Sequence, residues 1–135
     1  MIPPFNDAGC LPPGIFPATL DEIEARFGRA SEVRRVQMES IRWMVDIARR
    51  AGVRRIVLNG SFVTDIIEPN DVDCVLLFAD DYPIEADAAE ALERGLPFLE
   101  LKVVERPEFD EYVKDIFGID RYGKVKGTIE VALWT

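Results

Sequence analysis

The chain has 135 residues, 48% of them hydrophobic, which suits one domain with a sizeable core. Its 25 acidic residues outnumber its 16 basic ones, for a net charge of −9, and this argues against a protein that coats nucleic acid non-specifically, since such binding rests on basic surface. There is no histidine, which removes Ser-His-Asp and Cys-His catalysis and histidine-ligated zinc but leaves carboxylate and magnesium chemistry.

Residues 1–18 form a Pro-rich arm, with Pro3, Pro4, Pro12, Pro13 and Pro17. Proline opposes helix and sheet pairing. An extended arm is expected, packing along the domain through Phe5, Leu11, Ile15 and Phe16, or else offered to a partner. Its start lacks the apolar stretch of a secretory signal. No apolar run approaches the ~18 residues of a membrane span. Cys10 and Cys74 are isolated and make no disulfide framework. These features point to a cytoplasmic protein with no membrane contact.

Thr19 is placed to cap a helix from Leu20 to Phe27, ended by Gly28. Ser31 caps a longer helix to about Ala51, stopped by Gly52. On it Val33, Val36, Ile41, Met44, Ile47 and Ala48 recur near a 3.6-residue period and make an apolar face. Arg34, Arg35, Arg49 and Arg50 fall on other faces, where they are solvated or touch a phosphate backbone. Ile56 to Leu58 reads as a strand and Cys74 to Phe78 as another. Residues 84–95 suit an amphipathic helix, and Phe98 to Val104 alternates as a third strand with Glu100 and Lys102 on one face. Pro107 starts a helix toward Gly118. Asp120 to Gly127 is a turn-rich loop that gathers Arg121, Lys124 and Lys126. Thr128 to Trp134 alternates again and includes Glu130.

The chemistry concentrates between the first two strands. Asn59-Gly60-Ser61 follows the first strand directly, and nine residues separate Ser61 from Asp71. If Gly60 and Ser61 open a helix, free backbone amides meet an anion there, and glycine lets a phosphate approach the backbone. Asp71 and Asp73 are two apart in an extended stretch, so both carboxylates leave one face while Val72 and Cys74 leave the other. Two such carboxylates stay ionised together only with a cation or strong donors between them. Oxygen ligands suit Mg²⁺. Thr64 either positions a phosphate or makes a local turn hydrogen bond.

A Gly-Ser pair, this spacer and Asp-hydrophobic-Asp resemble the signature of the DNA polymerase β-like nucleotidyltransferase superfamily. The segment Gly-Ser-Phe-Val-Thr-Asp with Pro-Asn-Asp-Val-Asp is also similar to a group of small bacterial nucleotidyltransferase-like proteins of unsettled function. The opening through Leu11-Pro12-Pro13-Gly14 and the segment from Asp120-Arg121-Tyr122-Gly123 to Lys126-Gly127 share that likeness, so it covers most of the chain.

The resemblance implies one nucleotidyltransferase-like domain over residues 1–135. Its fold would be α/β (α+β), a mixed sheet of about four strands with helices packed mainly on the face opposite the metal site. It implies catalysis by two Mg²⁺ ions on Asp71, Asp73 and a third carboxylate, with a nucleoside triphosphate seated at Gly60 and Ser61. Glu100 stands where the superfamily typically has an aspartate, and Glu130 is its rival. Lys102, on the face of Glu100, would neutralise a triphosphate or sit as a surface lysine. The implied reaction moves a nucleoside monophosphate to an acceptor that is a protein, an RNA or a small molecule, with expulsion of pyrophosphate. Small stand-alone members often serve as the antitoxin of a toxin–antitoxin pair, so a toxin is a candidate protein partner. The alternative is a degenerate nucleotide-binding module, antitoxin or scaffold without turnover.

Overall fold

Capping chemistry fixes the first half of the chain. A computed structural model describes residues 2–116 and 126–133, the side chains of 115 and 116 excepted. The first helix, α1 (Leu20–Phe27), starts at Thr19, whose hydroxyl accepts from the Glu22 amide while the Glu22 carboxylate accepts from the Thr19 amide. This reciprocal cap satisfies two amides that the first helical turn leaves free. The second, α2 (Glu32–Ala51), starts at Ser31 and stops at Gly52, which adopts a left-handed conformation open to glycine.

The chain has five strands: β1 (Gly14–Ala18), β2 (Val53–Asn59), β3 (Val72–Phe78), β4 (Leu99–Val104) and β5 (Gly127–Val131). They form one mixed sheet in the order β1-β5-β2-β3-β4. β1 runs parallel to β5 and β3 parallel to β4, whereas β2 is antiparallel to both β3 and β5. The extra strand comes from the Pro-rich arm. Pro17, which lacks an amide proton, is tolerated because β1 lies at the sheet edge, where one side of the strand needs no partner. Ile15, expected to pack on the domain, is 41% exposed.

Two layers of helix cover the sheet. Ile56, Leu58, Val72, Cys74 and Leu76 face α1, α2 and the third helix, α3 (Ala86–Arg94). Val57, Val75, Leu77 and Val104 face the other way, against Phe109 and Val113. Phe109 belongs to α4 (Arg106–Glu111), which runs on into a wider π-type turn at Tyr112–Ile116. Three helices therefore share one face and the fourth covers part of the other. Gly118, Arg121, Lys124 and Trp134 lie outside the described residues.

The apolar face expected on α2 is rotated toward its start. Val33 and Val36 are only partly buried, whereas Arg34, Gln37, Met38, Ser40 and Ile41 are buried. Polar side chains fill that stretch because they meet backbone carbonyls rather than apolar groups. Ile84 is likewise 61% exposed and precedes α3 instead of joining its buried side.

Candidate active site

The register of the strands gathers the polar motif residues at one end of the sheet. β1, β3, β4 and β5 all begin there and β2 ends there: Asn59 pairs with Asp73, Asp73 with Glu100, and Gly14 with Gly127. A cavity of about 1020 Å³ opens at this end. Gly60, Ser61, Thr64, Asp71, Asp73 and Glu100 all line it, although they come from three separate stretches of sequence.

Asp73 is the best defined of these. Its parity places it on the face of Val75 and Leu77, and the parallel register sets Glu100 beside it. Burial first, then the hydrogen bond that the Asp73 carboxyl donates to Glu100 and the Glu100 charge, push Asp73 up to about 6. Lys126 opposes that shift and Asp71 adds to it. The like-charged neighbour disfavours the ionised form of Asp73, and a cation between the two would favour it. Asp71 precedes β3 rather than lying in it, and is exposed at the same cavity. Among the described residues no group of three or more His, Cys, Asp or Glu side chains is arranged to hold a metal ion.

Gly60 makes the close approach possible. Its φ of 87° suits glycine, and a β-carbon there would stand 2.8 Å from Asp73 Oδ2. The helix expected after it is only a 3-10 turn, Ser61–Val63, too short to supply a useful helix dipole. The Ser61 hydroxyl accepts from the Asn70 amide at 2.9 Å, and the Thr64 hydroxyl donates to the Ser61 carbonyl at 2.6 Å. Both hydroxyls hold the loop in shape from the cavity wall.

Among the described residues the basic one at the cavity is Lys126, not Lys102. Lys102 is exposed farther along β4, whereas Lys126 lines the cavity and acts on Asp73. Only the cluster of basic residues in 120–127 signalled it. Glu130 stands away from the cavity, in a bidentate pair with Arg55 at 2.8 and 2.6 Å.

The residues that shape the site most firmly were hidden in α2. Arg34 is 3% exposed. Its guanidinium donates to the carbonyls of Phe27 at 3.0 Å, Phe62 at 2.7 Å and Thr64 at 2.7 Å, and also to those of Ser61 and Ile66. Burial lowers its pKa, offset in part by the charge of Asp65. Ser31 donates to the Ile67 carbonyl at 2.7 Å. Gln37 Nε2 donates to the carbonyls of Pro69 and Asn70 at 3.2 and 2.8 Å. Positions 31, 34 and 37 are three apart, so they lie along one side of the helix and clamp residues 61–70 between them. The signal was available: three hydrogen-bonding side chains at a helical spacing, opposite a loop rich in unpaired carbonyls.

The arm supplies the remaining wall. Ala8 and Cys10 line the cavity, the Asp65 amide donates to the Gly9 carbonyl at 3.1 Å, and Cys10 bridges to Thr64. Leu11, 1% exposed, anchors the arm in the core.

The model of a protein family matches residues 3–132, and that family is described as a family of unknown function, DUF6932. The chain belongs to it. No curated protein and no solved structure matches the chain. Membership in DUF6932 covers the arm as well as the sheet, so the cavity with its Ala8 and Cys10 wall falls wholly within the matched span. Among the described residues no helix is long and apolar enough to cross a membrane.

Proposed function

We propose that this protein is a Mg²⁺-dependent nucleotidyltransferase, which moves a nucleoside monophosphate from a nucleoside triphosphate to an acceptor in the cytoplasm. The observation that carries this is the meeting of Gly60, Ser61, Asp71, Asp73 and Glu100 at one cavity. The donor set is all oxygen, and Mg²⁺ is held by one or two carboxylates completed by substrate phosphates. The Asp73–Glu100 pair meets that demand, since a divalent cation between them would offset the burial and repulsion that raise Asp73. Asp71 is the third carboxylate at the cavity.

When bound, Mg²⁺ would neutralise phosphate charge and ease ionisation of the acceptor hydroxyl. Gly60 leaves room for a phosphate against the backbone. Lys126 offsets negative charge on the departing pyrophosphate. Arg34 and Gln37 hold residues 61–70 still, which fixes the distance between the phosphate seat and the carboxylates. The acceptor hydroxyl gives its proton to solvent and its oxygen bonds to the α-phosphorus as the bond from that phosphorus to the bridging oxygen breaks, and pyrophosphate leaves. A protein acceptor such as the toxin of a toxin–antitoxin pair, an RNA end and a small molecule all fit this chemistry.

A nucleotide-binding module without turnover is the second reading, and one observation favours it: a glutamate, longer than aspartate, provides the β4 carboxylate. The two are separated by pyrophosphate release from each of the four nucleoside triphosphates with Mg²⁺, with and without cell lysate as a source of acceptor. Release that disappears in Asp73→Asn is the expected result. Mg²⁺-dependent binding with no release under any condition favours the module, and neither binding nor release overturns both.

A further inference from the structure

We propose that Phe98 is a stacking platform for the base of a bound nucleotide, so that the cavity selects a flat heteroaromatic ring joined to an anionic tail; this rests on the nucleotide reading above. Three observations converge on it. Phe98 lines the same cavity as Asp71, Asp73 and Glu100, one residue before β4 starts. It is 46% exposed, a large ring left facing water at the mouth of an acidic site. It is also the one non-glycine residue with positive φ, 66°, among the described residues.

A phenylalanine in the left-handed region is disfavoured, and glycine would adopt it freely. The surroundings hold it there from both sides. The Val72 amide donates to the Phe98 carbonyl at 2.9 Å, and the Leu99 amide donates to the Leu96 carbonyl at 3.3 Å. Backbone strain maintained by such bonds, around a side chain that is not needed in the core, is the pattern of a ligand contact. The apolar neighbours agree. Ile66, 47% exposed, and Val33 line the same cavity, whereas Lys126 and the carboxylates supply its charged part. A cavity of about 1020 Å³ is far larger than a cation and three phosphates fill, and is of the size that takes a whole small ligand. Exposed aromatic rings bind bases through their π-faces with little regard to base identity.

The test is equilibrium binding by calorimetry with Mg²⁺ and either ATP or inorganic tripolyphosphate, for the wild-type chain, Phe98→Ala, Phe98→Trp and Phe98→Gly. Loss of the ring is expected to weaken ATP about 5- to 140-fold in Phe98→Ala and Phe98→Gly. Phe98→Trp restores it, and tripolyphosphate affinity stays the same in all four. Phe98→Gly relieves the strained φ, so weak ATP binding by a chain no less stable than wild type separates stacking from folding. Wild-type ATP affinity in Phe98→Ala overturns the platform alone. Equal losses for ATP and tripolyphosphate overturn it too, because the ring would then be shaping the phosphate seat. A wild-type chain that binds neither ligand overturns the nucleotide reading and the platform with it.

Discussion

Replacing Arg34 by methionine keeps most of the apolar stem and removes the guanidinium. The side chain is 3% exposed and bonds five carbonyls, of Phe27, Ser61, Phe62, Thr64 and Ile66. The Phe27 and Phe62 carbonyls meet it in the buried interior, whereas its contacts to Ser61, Thr64 and Ile66 are partly open. Stranding a buried acceptor costs about 1–3 kcal/mol, so the two buried ones cost about 2–6 kcal/mol between them. Removing a buried charge returns part of that. The net expectation is a loss of about 3 kcal/mol, or about 10 °C in melting temperature for a chain of this size. Arg34→Lys should recover less than half, because an ammonium cannot reproduce the planar fork. Urea unfolding followed by circular dichroism measures both variants. A loss below about 1 kcal/mol in Arg34→Met at an unchanged denaturant slope would refute the clamp.

Two further outcomes follow from the carboxylate pair. Asp73 holds its proton to about pH 6 when folded, against an ordinary value of 3.8. Between those values the folded chain carries more protons than the unfolded one, so this group's contribution to stability falls as pH rises from about 4 to 6. The full shift corresponds to about 3 kcal/mol, and partial exposure of the group reduces the expected fall to about 1–2 kcal/mol. It is read as the difference between wild type and Asp73→Asn in urea midpoints from pH 4 to 7, and parallel profiles would count against it. Gly60→Ala places a β-carbon 2.8 Å from Asp73 Oδ2 at a φ of 87°, and should lose about 2 kcal/mol together with Mg²⁺-dependent nucleotide binding. Wild-type midpoint and binding in that variant would remove Gly60 from the site.

The helices were legible because their signals are local. Thr19, Ser31 and Gly52 announce ends through hydrogen bonds spanning a few residues, and α1 and α2 begin and end where those residues stand. Apolar runs located β2 and β3, and alternation located β4 and β5, for the same reason. β1 was not legible, since its partner lies 113 positions away, from Gly14 to Gly127, and parallel pairing leaves no turn between the strands to mark it. The motif residues could be named in advance and could not be weighed. Lys102 and Lys126 look alike in sequence, and only the register of β4 and the position of β5 put one at the cavity and not the other. Arg34 was misplaced because an arginine at a helix start reads as solvated until the carbonyls of Ser61 to Ile66 are brought against it.

The pairing of β1 with β5 also orders events in time. The Gly127 amide donates to the Leu11 carbonyl at 3.1 Å, and a β-carbon on Gly127 would stand 2.1 Å from the Pro12 carbonyl oxygen. The arm therefore completes its seat only against a strand synthesised more than a hundred residues after it. During translation α1, α2, β2, β3 and β4 can assemble and the arm can meet Thr64 and Asp65, while Lys126 does not yet exist. Closing a loop of that length comes late and slowly. A nascent chain thus carries its carboxylates before β5 closes the arm against the sheet.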